Sequence, residues 1–209
     1  MPSESDKAVD EKALIQGLLA RDKKAYEQAV RLYHSGLLRT ARVLVGEAIA
    51  DEVVQETWVA VLTGLSAFEG RSSLKTWMYS VLNNIARTRL RRESRNVSLG
   101  NAWDEPDPSL PPSRFLADGH WAVPPAPWHE ETPDAVLSGE ELRRCLEKIL
   151  SLLPEAQQSI LTMRDGEGLQ MDEICNILTI SSTNGRVLLH RARNALRAAV
   201  ERHARGEEC

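Results

Sequence analysis

Apolar residues recur at intervals of three and four along most of the chain, which is the period of an amphipathic α-helix. The pattern runs from residue 10 to 95 with short breaks near 21–22, 46 and 67–73, and it resumes from 138 to 205. No segment alternates polar and apolar positions as a half-buried strand does. The pattern therefore predicts an all-α protein with two small helical domains, at 10–95 and 138–205.

The segment between these domains, residues 96–137, differs in composition. It contains eight of the ten prolines and three of the five tryptophans, without a helical period. Because proline interrupts helical hydrogen bonding, we expect an extended linker. From residue 96 to 140, eight acidic residues stand against one basic residue, so the linker is acidic as well as proline-rich.

Charge is unevenly distributed within the net −4 of the 209 residues. Residues 71–95 hold seven basic residues against one acid, and residues 186–205 hold six against one. Basic blocks at the end of two helical units favour nucleic-acid binding, although a solvated surface is the ordinary alternative.

Several classes of protein are not favoured by the composition. The chain has no apolar run long enough to cross a membrane, and its first residues are polar. Its three widely spaced cysteines fit neither a disulfide framework nor a zinc site built from paired cysteines. We therefore expect a cytoplasmic protein without membrane insertion, metal or cofactor.

The C-terminal domain contains a short helix at 171–178, a tight turn at 179–180 and a longer helix that Ser181 can cap. The longer helix is apolar on one side and hydroxylated or basic on the other. This arrangement predicts a helix-turn-helix whose second helix enters a DNA groove. The candidate DNA-binding residues are Ser182, Thr183, Asn184, Arg186, His190, Arg193 and Arg197.

A helix at 50–65 has an apolar side and an acidic side. The outward stripe consists of Asp51, Glu52, Gln55 and Glu56, and it would suit a basic protein partner. A purely solubilising role is the alternative that charge pattern alone favours.

The next segment combines a loop at 68–73 with a helix that carries aromatic, amide and arginine side chains. We expect its buried face to consist of Leu74, Met78, Val81, Leu82 and Ile85. Trp77 can be a core residue or can join Asn84 on an outward face, where stacking and edge bonding would hold single-stranded bases. The candidate residues here are Phe68, Arg71, Lys75, Trp77, Asn84, Arg87 and Arg91.

Several stretches resemble the sigma-70 family of RNA polymerase sigma factors: 50–58 and 68–84 in the N-terminal domain, and 153–155, 168–178 and 189–197 in the C-terminal domain. The resemblance implies that region 2 binds a coiled coil of core RNA polymerase through residues 51–56 and holds the −10 promoter element through the 68–91 set. It implies that the helix-turn-helix is region 4 and binds the −35 element. Regions 1.1 and 3 of larger members are missing, which implies the extracytoplasmic-function group, often stress- or envelope-responsive and controlled by an anti-sigma factor.

The sequence departs from the family pattern at four positions. The family usually has Ser at the position of Gln170, Gly at Thr179, an apolar residue at Gly185, and a basic or small residue at Asn83. We expect Gln170 to weaken a helix cap and Gly185 to cost about 1 kcal/mol within its helix. Asn83 is expected to alter promoter preference.

Two other functions remain to be weighed. A stand-alone helix-turn-helix regulator explains the C-terminal domain but gives the basic and aromatic helix at 74–92 no role. A recombinase-like enzyme would need a serine or tyrosine nucleophile among arginines or a metal-carboxylate cluster, and neither is apparent in the sequence. We therefore expect a promoter-recognition subunit with no catalytic residues, whose partners are core RNA polymerase and promoter DNA.

Overall fold

The structure, a computed structural model, describes residues 11–93 and 139–204. The chain divides into two compact units, 1–98 and 99–209. Every regular element within the described ranges is helical, which confirms the predicted all-α class. The predicted linker at 96–137 lies outside the described residues.

The described part of the N-terminal unit is a helical bundle. Its elements are α1 (Glu11–Leu19), α2 (Lys23–Val45), α3 (Glu47–Gly64), a 3₁₀ turn (Leu65–Ala67) and α4 (Leu74–Glu93). Helices α2, α3 and α4 pack against one another, and α1 packs against α2. The polar side of α3 and the start of α4 are thereby positioned on one rigid scaffold.

Tight turns separate the first three helices. Asp22 caps α2 by accepting a hydrogen bond from the backbone N–H of Lys24 at 3.2 Å. The preceding residue, Arg21, has a φ of 57°, and Gly46, alone between α2 and α3, has a φ of 78°. Glycine suits the second turn because it has no Cβ to clash at positive φ.

The C-terminal unit is built around its last helix. Its described elements are α5 (Gly139–Leu152), α6 (Glu155–Leu161), a π-helical turn (Thr162–Gly166), α7 (Met171–Leu178) and α8 (Ser182–Ala204). Helix α8 packs against α5, α6 and α7. Contrary to the expectation from the cysteine count, Cys145 is disulfide-bonded, whereas Cys175 is free and buried.

The buried face of α4 differs in part from the predicted one. Leu74, Met78 and Leu82 are buried as expected, but Val81 and Ile85 are only partly buried. The remaining core positions of α4 are Thr76, Tyr79, Asn83 and Ala86. The face is shifted because α4 packs against both α2 and α3. Asn83 is only 2% exposed, so its side chain lies in the core, and an effect on promoter preference stays a prediction.

Candidate nucleic-acid and protein interfaces

The acidic surface of α3, defined by Asp51, Glu52, Gln55 and Glu56, is exposed at all four positions. On the opposite side of the helix, Val53, Val54 and Thr57 are buried in the core. The amphipathic pattern therefore places the four polar side chains where a partner can reach them.

An open groove of about 590 Å³ lies between α3 and α4 beside this surface. Its lining residues are Glu52, Gln55, Glu56, Val59, Ala60, Ile85 and Arg89. Val59, which is 63% exposed, adds an accessible apolar side chain to this groove. A groove with acidic edges and an exposed apolar side chain is suited to a helix that carries both basic and apolar residues.

Arg89 on α4 contacts two glutamates of the acidic surface of α3. Its guanidinium contacts Glu52 at 3.4 Å and also pairs with Glu56. The two glutamates stand one turn apart on α3 and would repel each other, so the cation between them relieves that repulsion. Arg89 belongs to the basic block at 71–95, and the local charge pattern gives no sign of this contact because 33 residues separate Arg89 from Glu56.

An aromatic pair lies at the start of α4. The rings of Phe68 and Trp77 have centroids 5.0 Å apart with an interplanar angle of 39°, and both side chains are partly buried. Ser73 fixes the beginning of the helix by accepting a hydrogen bond from the N–H of Thr76 at 3.1 Å. Trp77 thus combines the two expected environments, since one part of it packs on Phe68 and another part remains accessible.

The other candidates in this unit fall into two groups. Asn84, Arg87 and Arg91 are exposed at spacings of three and four, so they share one face of α4. Lys75 lies 5.9 Å from the ring centroid of Tyr79, and Arg71 contacts Glu69 at 2.8 Å in the loop. The structure therefore groups Asn84 with the two arginines but leaves Arg71 engaged with a neighbouring carboxylate.

The turn between α7 and α8 has the geometry of a helix-turn-helix. Thr179 has φ 61° and ψ 46°, a left-handed conformation that glycine adopts more readily. Ser181 accepts a hydrogen bond from the N–H of Asn184 at 3.2 Å, which confirms the predicted cap. At the start of α7, the Glu173 carboxylate accepts a hydrogen bond from the backbone N–H of Gln170 at 2.8 Å. The side chain of Glu173 therefore contributes to the cap at the N-terminus of α7.

Gly185 lies where α8 crosses α7. A Cβ at this position would stand 2.6 Å from Sγ of Cys175 and 3.4 Å from side-chain atoms of Ile160 and Met171. The glycine therefore permits a close approach of the two helices, and its low helix propensity is offset by packing. Burial raises the pKa of the Cys175 thiol, so this cysteine has the character of a small core residue.

The candidates on α8 differ in how accessible they are. Ser182, Thr183 and Arg186 are exposed in the first turns, whereas Asn184 and His190 are partly buried. Nε2 of His190 lies 3.0 Å from Nδ2 of Asn194. Burial, followed by the nearby charge of Arg193, lowers the pKa of His190. A largely neutral imidazole is thereby favoured on this helix.

Two arginines of α8 hold carboxylates. Arg193 donates two hydrogen bonds to Asp165, at 2.9 and 2.5 Å, and Arg197 donates one to Glu201 at 2.8 Å. The bond to Asp165 raises the pKa of Arg193. In the ranges that the structure covers, no cluster of three or more histidine, cysteine or acidic side chains could hold a metal ion, and no helix is long and apolar enough to span a membrane.

Comparison with protein families matches both units. Residues 29–96 match the family model for Sigma-70 region 2, and residues 143–196 match that for Sigma-70, region 4. The matches have the order predicted from the two motif sets. Regions 2 and 4 in this order define a two-domain promoter-recognition factor.

Individual proteins agree with this result. The chain is 29% identical over 167 residues to a probable RNA polymerase sigma factor of Haemophilus influenzae, covering 79% of this chain and 84% of the relative. It is 24% identical over 191 residues to the ECF RNA polymerase sigma-E factor of the same organism, covering 91% and 95%.

A similar fold occurs in the sigma factor RpoE of Bartonella quintana, solved in complex with the anti-sigma factor NepR. That chain has a TM-score of 0.56 and 20% identity, and the match covers 85% of this chain and 98% of the other. The protein belongs to the sigma-70 family, in its extracytoplasmic-function group.

Proposed function

We propose that this sigma factor directs core RNA polymerase to promoters through three surfaces on its two domains, 10–95 and 138–205. The acidic surface of α3 binds core polymerase, the exposed face of α4 with the aromatic pair holds the −10 element, and the outward face of α8 reads the −35 element. Sigma factors are not enzymes, so the function consists of binding and positioning. The linker at 96–137 joins the two DNA-reading domains.

One observation carries this proposal: the N-terminal unit presents opposite charges on adjacent helices. Glu52 and Glu56 on α3 are exposed toward the groove, and Asn84, Arg87 and Arg91 are exposed on α4. A stand-alone regulator needs a DNA-reading helix, which α8 supplies, but has no use for a second basic face beside an acidic groove. A sigma factor needs a surface for polymerase and a surface for melted DNA on the same domain.

The α4 surface has the chemical groups that unpaired bases require. Aromatic rings stack on any base, and arginines neutralise the phosphates between bases. The Phe68–Trp77 pair and the loop at 68–73 lie at the start of α4, and Arg87 and Arg91 lie further along it. This order along one helix is suited to a strand that leaves the duplex near the loop.

On α8, position along the helix assigns the roles. Recognition helices contact base edges with their first residues, and later residues lie nearer the backbone. Ser182, Thr183 and Arg186 therefore contact bases, with Asn184 beside them. Arg193 and Arg197 lie nearer phosphates, and His190 lies between the two groups.

We also propose a cytoplasmic protein whose activity is controlled by an anti-sigma factor and answers stress or changes at the cell envelope. The support is the family group and the fold shared with a sigma factor solved in complex with NepR. A test is co-purification of the chain with proteins of the same cell before and after envelope stress. A partner that is released on stress and blocks binding to core polymerase is the expected result.

The decisive experiment for promoter recognition is transcription reconstituted from purified core polymerase and this protein on a promoter library. Initiation from a common pair of −10 and −35 sequences is expected. Glu52→Gln with Glu56→Gln should abolish core binding, whereas Glu27→Gln, which also removes an exposed helical glutamate of this unit, should not. Transcription that requires another sigma factor would instead identify a stand-alone regulator.

A further inference from the structure

The Asp165–Arg193 pair joins two separate elements of the C-terminal unit. Asp165 lies in the π-helical turn after α6, and Arg193 lies 28 residues later on α8. Nε and Nη2 of Arg193 donate to the two carboxylate oxygens, so the guanidinium uses one edge for a two-pronged contact. The Arg193 side chain is 52% exposed and the Asp165 side chain is 39% exposed, so DNA can reach the same edge of the guanidinium.

The pair is not required to hold α8 in place. An exposed ion pair contributes about 0–1 kcal/mol to folding, whereas α8 is already packed against α5, α6 and α7. The Asp165–Arg193 pair therefore contributes little to stability, and its effect on DNA binding is the property to consider.

A phosphate and a carboxylate compete for the same edge of arginine. Both accept two parallel hydrogen bonds from a guanidinium, with similar geometry. While Asp165 occupies Arg193, the pair carries no net charge and displaces no counterions from DNA. Non-specific affinity depends on that displacement, so Asp165 withholds part of it.

Positive charge along α8 is consequently graded. Arg186 is exposed near the start of the helix, where bases are read, while Arg193 and Arg197 each hold a carboxylate further along. Phosphate contacts carry no sequence information, and the two paired arginines lie in the part of α8 assigned to phosphates. Their attraction to the DNA backbone is reduced, whereas Arg186 at the base-reading start of α8 keeps its charge.

We propose that Asp165 is a specificity-determining residue of the −35 reading surface, which lowers affinity for non-promoter DNA by competing with phosphates for Arg193. The inference rests on the proposed role of α8 in DNA reading. Asp165 does not itself contact bases in this scheme. It sets how much of the binding energy comes from sequence and how much from backbone charge.

The test is a set of DNA titrations across salt concentrations, using the full chain and its complex with core polymerase. The probes are a duplex containing the −35 sequence selected from the library and a scrambled duplex of equal length. Asp165→Ala should raise affinity for the scrambled duplex by roughly 3- to 10-fold, steepen the salt dependence by about one phosphate equivalent, and reduce the promoter-to-scrambled ratio. Arg193→Ala in the Asp165→Ala background should reverse these changes.

Glu147→Gln is the matched control, since it removes one exposed acid from α5 of the same unit. An equal increase in this variant would show an effect of net charge alone and would overturn the proposal. An unchanged salt slope in Asp165→Ala would also overturn it, and so would weaker DNA binding, which would mean that Asp165 orients Arg193 for phosphate. Failure of the wild-type complex to initiate at any promoter would instead refute the proposed function.

Discussion

The two units of this sigma factor hold their functional helices by different means. In the N-terminal unit, side chains tie α4 to its surroundings: Trp77 packs on Phe68, and Arg89 reaches the glutamates of α3. In the C-terminal unit, α8 approaches α7 closely at Gly185, because the missing Cβ leaves room for Sγ of Cys175. A substitution at Trp77 should therefore affect packing and recognition together, whereas a substitution at Gly185 should act on the packing of α8 against α7.

The largest expected effect comes from Trp77, where the two roles overlap. Trp77→Ala removes a stacking surface worth about 1–3 kcal/mol per base, or about 5- to 150-fold in open-complex formation. Asn84→Ala, at an exposed position on the same helix, should give a smaller loss. Transcription and core binding are measured on the same preparations, and core binding should change less than twofold. A parallel loss of core binding would show that Trp77 acts through structure alone.

The close helix approach is tested by a pair of glycines, one in each unit. Gly185→Ala should lower the free energy of unfolding of the C-terminal unit by about 1–3 kcal/mol, because the new Cβ would overlap Sγ of Cys175. Gly64→Ala should be neutral or slightly stabilising, since its Cβ would meet Trp77 at an ordinary 3.7 Å. Chemical denaturation monitored by hydrogen exchange measures the free energy of unfolding of each unit separately.

Cys175→Ala provides the internal check on this explanation. Removing Sγ makes room for a Cβ at position 185, so the double variant should lose less stability than the sum of the single variants. Simple additivity would show that the overlap with Cys175 is not the cause.

A smaller effect is expected at the two non-glycine residues with positive φ. Thr179→Gly should stabilise the C-terminal unit by up to about 1 kcal/mol, because a β-branched residue is strained in the left-handed region. Arg21→Gly in the N-terminal unit should gain less, since arginine is unbranched at Cβ. Chemical denaturation of the two variants orders the gains, and a loss of stability in Thr179→Gly would mean that contacts of threonine outweigh the strain.

The smallest effect concerns pH and the C-terminal unit. Burial lowers the pKa of His190 below its ordinary 6.5, so the unfolded chain binds the proton more readily than the folded chain. The free energy of unfolding is therefore at its full value above pH 6.5 and decreases as the pH falls toward the folded pKa. The difference between wild type and His190→Gln, measured from pH 7.5 to 5.5, isolates this contribution, and identical profiles would contradict it.

Local patterns in the sequence predicted the helices, the cap at Ser181 and the exposed acidic surface, because these depend on residues within one or two turns. The buried face of α4 was predicted only in part, since periodicity assumes one packing partner and α4 has two. The π-helical turn after α6 was not predicted either, because it has no periodic signature.

Contacts between distant residues were beyond local reasoning. Charge counting assigned Arg89 and Arg193 to nucleic acid, whereas each pairs with a carboxylate 28 or more residues away in sequence. The cost assigned to Gly185 was likewise incomplete, since propensity describes an isolated helix and the benefit comes from Cys175 on another one. Only the folded chain shows which partner each of these residues meets.

The contact between positions 175 and 185 also constrains the order in which mutations can accumulate at these two positions during evolution. A descendant that acquires alanine at 185 while cysteine remains at 175 passes through a destabilised protein, whereas the opposite order of mutations opens space before it is filled. The accessible evolutionary path therefore runs through a smaller residue at 175 first. A change in the size of one buried side chain is thus a precondition for change at the other, even though neither position carries any of the chemistry of promoter recognition.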